Sequence, residues 1–380
     1  MNIVYCIDDL SVIGGIERVT VIKANGLSTI PGNKVYIFVV NNDEVPAFEL
    51  SPSVHLIDIG VKYTWNPARH AIFNYIDSWK LKKTHKTKLE EMLNEVSPDI
   101  VVSIGNTNRH ILPSIKNRKW KLLREVHGDR FFHVKHSKSL FQKILSRAFC
   151  FYDDYFCAKR CEKVIILTEG EKRDNWKGWK NIIVMPNPVS FKCETPSRLD
   201  EKRVISIGRL DHMKNFSSLI NVFKIVNKRF PDWTLEIYGD GAEMPSLQNQ
   251  IIEAGLQDVV FMRGFTDRVQ EVMSNSSVFA FTSLSEGMPM ALLEAMECGL
   301  PVVSYNCPHG PSDIISDGKD GFLIPINNEQ LMADRICDLI GNENLRKSMG
   351  KRAKEKAQSF QIESIIDRWM NLFTELLNEK

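Results

Sequence analysis

What the chain lacks narrows it before any motif is weighed. No uncharged apolar stretch approaches the roughly 18 residues of a membrane-crossing helix. Met1-Asn-Ile-Val-Tyr5 opens directly into a strand pattern with no charged lead or small-residue cleavage site, so a cytoplasmic protein is expected. No Asp-x-Asp occurs, which leaves a metal–diphosphate bridge of that kind without obvious ligands. The G-x-G-x-x-G fingerprint is missing too, which argues against NAD. Eight cysteines are scattered at 6, 150, 157, 161, 193, 298, 307 and 337, several in apolar runs, as reduced buried thiols are. Cys150, Cys157 and Cys161 lie near His127, His133 and His136 in sequence, but no C-x2-C or H-x3-H pair accompanies them. No metal and no cofactor is expected. Low-complexity segments and short-period repeats are absent.

What is present describes an ordinary globular protein. The 380 residues suffice for two domains, and 25% charged with 43% hydrophobic residues is a typical soluble balance. The net charge of +2 conceals an asymmetry: residues 1–185 carry 28 Lys and Arg against 20 Asp and Glu, and the rest of the chain is acidic. Basic residues cluster in Lys80–Lys88, Lys116–Lys121 and Lys135–Arg147. Such a half attracts an anionic partner or membrane surface, or simply presents solvated faces. Within it, Lys138–Phe151 sets Leu140, Phe141, Ile144, Leu145 and Phe149 on one helical face, with Tyr152, Tyr155 and Phe156 nearby. That pattern fits a membrane interface, but a core-facing helix is the expectation, since such helices show the same periodicity.

Both halves alternate β-branched runs with helical patterns, which predicts parallel sheets with crossover helices. Strands are expected at Ile3–Ile7, Val35–Val40, Val54–Ile57, Ile100–Ile104, Leu122–Val126, Val164–Leu167 and Ile182–Met185. The pattern restarts after Pro186-Asn-Pro-Val189 and the polar stretch Lys192–Lys202, the best linker candidate. Further strands follow at Val204–Ile207, Thr234–Tyr238, Val259–Met262, Val278–Phe281, Pro301–Val303 and Phe322–Ile324. The final segments, Leu345–Lys356 and Ile362–Leu377, read as amphipathic helices.

The most informative motif is Glu286-Gly-Met-Pro-Met-Ala-Leu-Leu-Glu294. Gly287 and Pro289 make the first Glu a loop residue and start a helix, so the second lies roughly one and a half turns into it. Free amides at that helix start favour an anion. Gly208-Arg209-Leu-Asp-His-Met-Lys214 follows a strand, so its Arg and Lys can converge on one phosphate group, or remain two solvated charges. Gly14-Gly15 after the first strand reads as a close backbone approach to a ligand or as a plain tight turn. His127 ends a buried-strand pattern and either meets a sugar hydroxyl or is a satisfied structural histidine.

Together these residues resemble the retaining glycosyltransferases of family 4, of the GT-B architecture. The resemblance spans nearly the whole chain and rests on Gly14-Gly15, His127, Arg209 with Lys214, the Glu286/Glu294 pair and Gly299-Leu-Pro-Val302. Cys307-Pro-His-Gly310-Pro-Ser-Asp313 is similar to a subgroup that builds capsules, O-antigens, exopolysaccharides or teichoic-acid decorations. It implies two doubly wound, Rossmann-like domains facing across a cleft. An acceptor-binding domain of residues 1–188 would take back the last helix, 361–380, and residues 189–360 would bind the nucleotide-sugar donor.

The resemblance also implies roles. Glu286 would hold donor-sugar hydroxyls, Glu294 the ribose, and Arg209 and Lys214 the diphosphate. Gly15 would offer its amide to the phosphates, and His127 would contact the transferred sugar. Arg263 and Gly264 would meet the base, and Gly287, Met288 and Met290 would complete the donor site. Glu286, His127, Arg209 and Lys214 form the catalytic set. The implied reaction is metal-independent hexosyl transfer with retention, from a UDP-sugar to a glycan or lipid-linked oligosaccharide in surface-polysaccharide synthesis. Peripheral contact of the basic half with an anionic membrane is a further expectation, and nucleic acid is not an expected partner. A nucleotide-sugar epimerase or hydrolase, or a non-catalytic nucleotide-sugar binder, would share the fold.

Overall fold

The computed structural model describes residues 1–40, 45–63, 71–131, 134 and 139–379, with only the backbone of 71–79. Among the described residues thirteen strands form two sheets, both wholly parallel. In the first sheet β1 (Asn2–Ile7), β2 (Lys34–Val39), β3 (Val54–Asp58), β4 (Ile100–Ser103), β5 (Lys121–Val126), β6 (Lys163–Ile166) and β7 (Ile182–Val184) run in the order β3-β2-β1-β4-β5-β6-β7. The second holds β8 (Arg203–Ile207), β9 (Thr234–Tyr238), β10 (Val260–Gly264), β11 (Val278–Phe281), β12 (Val302–Tyr305) and β13 (Gly321–Ile324), ordered β10-β9-β8-β11-β12-β13. Each strand expected from β-branched runs is present, displaced by no more than two residues at either end. Both orders reverse direction once, between β1 and β4 and between β8 and β11.

The chain divides into two compact units. The first comprises 1–167, 172–188 and 362–380, and the second 168–171 and 189–361. In the first, side-chain alternation along β1 builds two cores. Ile3, Tyr5 and Ile7 pack with Val21, Ala24 and Leu27 of the helix Gly15–Ser28 and with the C-terminal helix Ile362–Asn378. Val4 and Cys6 face the other way, against Leu89 and Leu93 of the helix Ala71–Val96. A period of two on each strand, buried on both faces, is what a helix-covered parallel sheet requires. Gly26 lets the first and last helices touch, since a Cβ there would meet Ile366 Cγ1 at 2.9 Å. In the second unit Val204, Ala280 and Val303 pack against Phe223 of the helix Phe216–Arg229 and Ile336 of Glu329–Gly341.

The stretch Lys192–Lys202 is not a free linker. Cys193 N–H donates to Glu297 Oε1 (2.9 Å), Ser197 N–H to the Cys298 carbonyl (2.9 Å), and Arg346 Nε to the Leu199 carbonyl (2.9 Å). These bonds hold it through its main chain, and the unit boundary falls earlier, at Pro188.

Buried charge sits inside the first unit. Lys23 is 1% exposed, paired with Glu125, and lies 5.1 Å from the Trp369 ring centroid and 5.7 Å from that of Tyr5. His127 Nε2 lies 3.0 Å from the same Glu125 oxygen. Burial alone would raise the Glu125 carboxyl, but the Lys23 ammonium and the His127 contacts outweigh it and hold it at about 2, against an ordinary 4.5. A folded-state pKa below the unfolded one gives stability that is complete above about pH 4.5 and fades as pH falls toward about 2. Urea titrations should show that loss in wild type and a shallower one in Lys23→Met. At neutral pH Lys23→Met should cost about 3–5 kcal/mol, because a buried carboxylate loses its partner. Lys23→Met combined with Glu125→Leu should cost less than the single change, and an equal or larger loss would refute this account.

Candidate active site

In an open parallel sheet the crevice at the carboxyl ends of the strands, where strand order reverses, receives ligands. In the second unit that point lies between β8 and β11, and two loops are bonded together there. Thr282 Oγ1 donates to the Lys214 carbonyl (3.0 Å) and Leu284 N–H to the Met213 carbonyl (2.8 Å). Asp211 shapes the first loop by accepting from Met213 N–H (3.0 Å) and Lys214 N–H (3.2 Å) through Oδ1. The result brings Lys214 Nζ to 2.6 Å from Glu286 Oε1, with the ammonium 5.4 Å from the Phe281 ring centroid. Both side chains stay partly accessible, at 25% and 13%. Arg209 stands on the same loop, exposed, its Nε 2.6 Å from Asp211 Oδ2. One loop thus presents two cations beside a carboxylate from the other.

Beyond Glu286 the chain turns at Gly287 and Met288, and Pro289 in extended conformation caps the helix Met290–Glu297. Glu294 and Met288 are buried, and Gly287 and Met290 are half-buried. The next loop buttresses this turn. Gly310 has φ 90°, and a Cβ there would meet Pro289 Cδ at 2.6 Å. His309, also at positive φ, is 6% exposed with Nε2 3.3 Å from Glu171 Oε2. At the end of β10, Arg263 is held by Glu236 (Nη2 to Oε1, 2.7 Å) and lies 4.6 Å from the Phe261 ring centroid. Gly264 (φ 74°) accepts from Gly239 N–H at 2.8 Å, and Phe265 after it is 63% exposed.

Sequence reasoning missed Gly239 and Gly241. They lie beneath the Arg209–Lys214 loop at φ 144° and 156°, where a Cβ would strike the carbonyls of Gly208 and Leu210. The Gly-Asp-Gly after β9 was the available signal. It also missed His309 with Glu171, because nothing local shows that residues so far apart in sequence will meet.

The first unit gathers its candidate residues at its own reversal point. Asp8, at the end of β1, accepts from Asn106 N–H (2.9 Å) and Thr107 N–H (3.1 Å) beyond β4. Gly14 caps the first helix and Gly15 begins it, with open space where a Gly15 Cβ would lie. Glu17 folds back over Gly14, and burial, with Asp9 and Asp8 nearby, raises its carboxyl pKa against the pull of His127. A cavity of about 220 Å³ is lined by Ile16, His127, Arg109, Arg124, Arg130 and Trp176 among others. His127 is therefore both bonded to Glu125 and at a cavity wall. His133 and His136 lie outside the described residues, as do Lys135 and Lys138 of the basic run.

Elsewhere His110 Nδ1 is 3.2 Å from Cys157 Sγ and 3.9 Å from Asp153 Oδ1. Burial pushes the Cys157 thiol up to about 11. Arg124 (2.7 Å) and Arg109 (3.7 Å) already bring Asp153 the positive charge a metal ion would supply.

Residues 191–356 match the family described as "Glycosyl transferases group 1". This segment, the greater part of the second unit, is a group 1 glycosyltransferase domain. It is 27% identical over 364 residues to an uncharacterized glycosyltransferase of Haemophilus influenzae, covering 94% of this chain and 96% of that one. Over 219 residues it is 33% identical to the poly(ribitol-phosphate) alpha-N-acetylglucosaminyltransferase of Staphylococcus aureus, covering 57% of this chain and 44% of the relative. A crystal structure of a mutant S. aureus TarM in complex with Fondaparinux, alpha-GlcNAc-glycerol and UDP shares the fold. Its TM-score is 0.77 at 17% identity, covering 98% of this chain and 99% of that one. Each half of the chain is a parallel-sheet, Rossmann-like unit, the fold of GT-B enzymes.

In the glycosyltransferase domain the close approach at Gly239 is directly testable. Gly239→Ala should destabilise by about 1–3 kcal/mol from backbone strain, because the new Cβ would strike the Gly208 carbonyl at the start of the Arg209–Lys214 loop. Scanning calorimetry checks this, and an unchanged melting temperature would show that the loop yields without strain.

Proposed function

We propose that the chain transfers a sugar from a nucleoside-diphosphate sugar to a surface glycan or lipid-linked glycan, with retention and without a resident metal. The observation that carries this reading is the Lys214–Glu286 pair at the β8/β11 reversal, with Arg209 on the same loop. When the C1–O bond to the donor phosphate breaks, negative charge grows on the diphosphate. Lys214 and Arg209 would supply the neutralising charge, the electrostatic help that usually dominates such steps. Glu286 would leave Lys214 for donor-sugar hydroxyls, and Glu294 would hold the ribose. The acceptor oxygen bonds to C1 on the face the phosphate leaves, and its proton passes to a phosphate oxygen.

The cavity beside His127 in the first unit is the acceptor side of this reading, with His127 reaching the transferred sugar. Arg263, Gly264, Gly287, Met288 and Met290 would frame the nucleotide, and Gly15 would offer its amide to phosphate. UDP is the favoured nucleotide, supported by its presence with an alpha-linked glycoside in the TarM complex. The poly(ribitol-phosphate) named for the S. aureus relative supports a cell-surface polymer as acceptor. The workplace in this reading is the cytoplasmic side of the cell membrane.

Lys214→Ala and Glu286→Ala should each lower the transfer rate at least about tenfold, or about 1.4 kcal/mol, in proteins that still melt cooperatively. Near-wild-type turnover in either removes that residue's role. A separate trial of the metal-free mechanism adds excess chelator: transfer should continue, and complete loss restored by a divalent cation would overturn it. Donor consumed without any acceptor product would instead mark a hydrolase or epimerase.

A further inference from the structure

The helix Leu140–Tyr152 presents its apolar side outward. The expectation of a core-facing helix fails here, for no residue of this segment is buried. Leu140, Phe141, Ile144, Leu145, Phe151 and Tyr152 share one side and are 49–75% exposed. The chain continues through a single π turn, Asp153–Cys157, which adds Tyr155 (53% exposed) and Phe156 (41% exposed). The side turned to the body is the small and polar one. Ser146 and Cys150 are half-buried, and Asp153 and Cys157 are buried. Asp153 accepts from Arg124 Nη2 at 2.7 Å, and Cys150 Sγ lies 3.8 Å from the Arg130 carbonyl it donates to. A surface helix of a globular protein does the reverse, and so large an exposed apolar face marks an interaction surface.

Charge identifies what covers it. Between 140 and 160 the exposed charged residues are Lys143, Arg147, Lys159 and Arg160, all cationic. The carboxylates of the segment point inward, Asp153 to Arg124 and Asp154 to Arg130. Lys159 Nζ lies 4.9 Å from the Tyr155 ring centroid, and the Arg160 guanidinium 5.9 Å from that of Phe156. Aliphatic and aromatic side chains flanked by Lys and Arg match the boundary between acyl chains and anionic headgroups. We propose that Leu140–Phe156 is a membrane-docking element that lies flat in the surface of an anionic bilayer. Phe149, Cys150, Asp153 and Asp154 of the same segment line the cavity beside His127, so docking would hold that cavity next to the lipid surface. The inference leans on the proposed lipid-borne acceptor only for its purpose, since docking needs neither donor nor acceptor.

Flotation of the full chain with phosphatidylcholine vesicles, with and without phosphatidylglycerol and at two salt concentrations, tests it. The wild type should float with the anionic vesicles and less so in high salt. Ile144→Glu with Leu145→Glu should lower the bound fraction at least about tenfold, with unchanged thermal midpoint and nucleotide binding. Lys143→Glu with Arg147→Glu should remove the preference for phosphatidylglycerol. Failure of the wild type to float, or equal flotation of the Ile144/Leu145 variant, overturns the proposal. So does a wild-type dimer that this variant dissociates, which would make the face a contact between copies. Flotation without transfer to any lipid-linked acceptor would leave docking standing and refute the acceptor reading alone.

Discussion

A wholly parallel sheet delivers the carboxyl end of every strand to one edge, and a single reversal of strand order opens a gap in that edge which no crossover helix fills. The chain meets this constraint twice, at β1/β4 and at β8/β11. Its polar chemistry follows from it. In the first unit Asp8 ties the two loops across the gap, and in the second Thr282 and Leu284 do so through backbone carbonyls. A loop pinned in this way can hold a lysine against a carboxylate without burying either completely. A fully buried pair would pay desolvation and be slow to open, whereas a solvated pair would hold no fixed geometry. Lys214 and Glu286 lie between these limits.

Much of this was legible in the residues. β-branched runs placed all thirteen strands because a sheet buried on both faces needs them continuously. The Gly and Pro between Glu286 and Glu294 located the loop and the helix start, since those residues carry their own backbone preferences. What stayed hidden depends on partners distant in sequence. Lys23 and Glu125 are 102 positions apart, and each alone looks like a surface charge. Gly239 reads as an ordinary turn until the Gly208 carbonyl is seen against it. The helix Leu140–Tyr152 is the clearest case. Periodicity told which residues share a face, but not that Asp153 and Cys157 would fasten the opposite one to the body.

The two units treat charge differently, and chemistry explains why. The first keeps a lysine, a glutamate and a histidine together beneath tryptophan and tyrosine rings, where ion pairing and cation–π contact compensate for lost water. Such a network fixes His127 on the cavity side, so its orientation is set by the core. The second leaves Arg209 in solvent, paired with one neighbouring aspartate.

The seating of Ile362–Asn378 has a consequence for how the molecule comes into being. This helix lies on the first unit, with Trp369 over Lys23 and Ile366 against Gly26, yet it is the last helix of the chain. A ribosome therefore finishes the whole second unit before the first receives its cover. Until then the earlier half waits with a charged lysine and an apolar groove open to solvent, and proteolysis or chaperone capture should find it there.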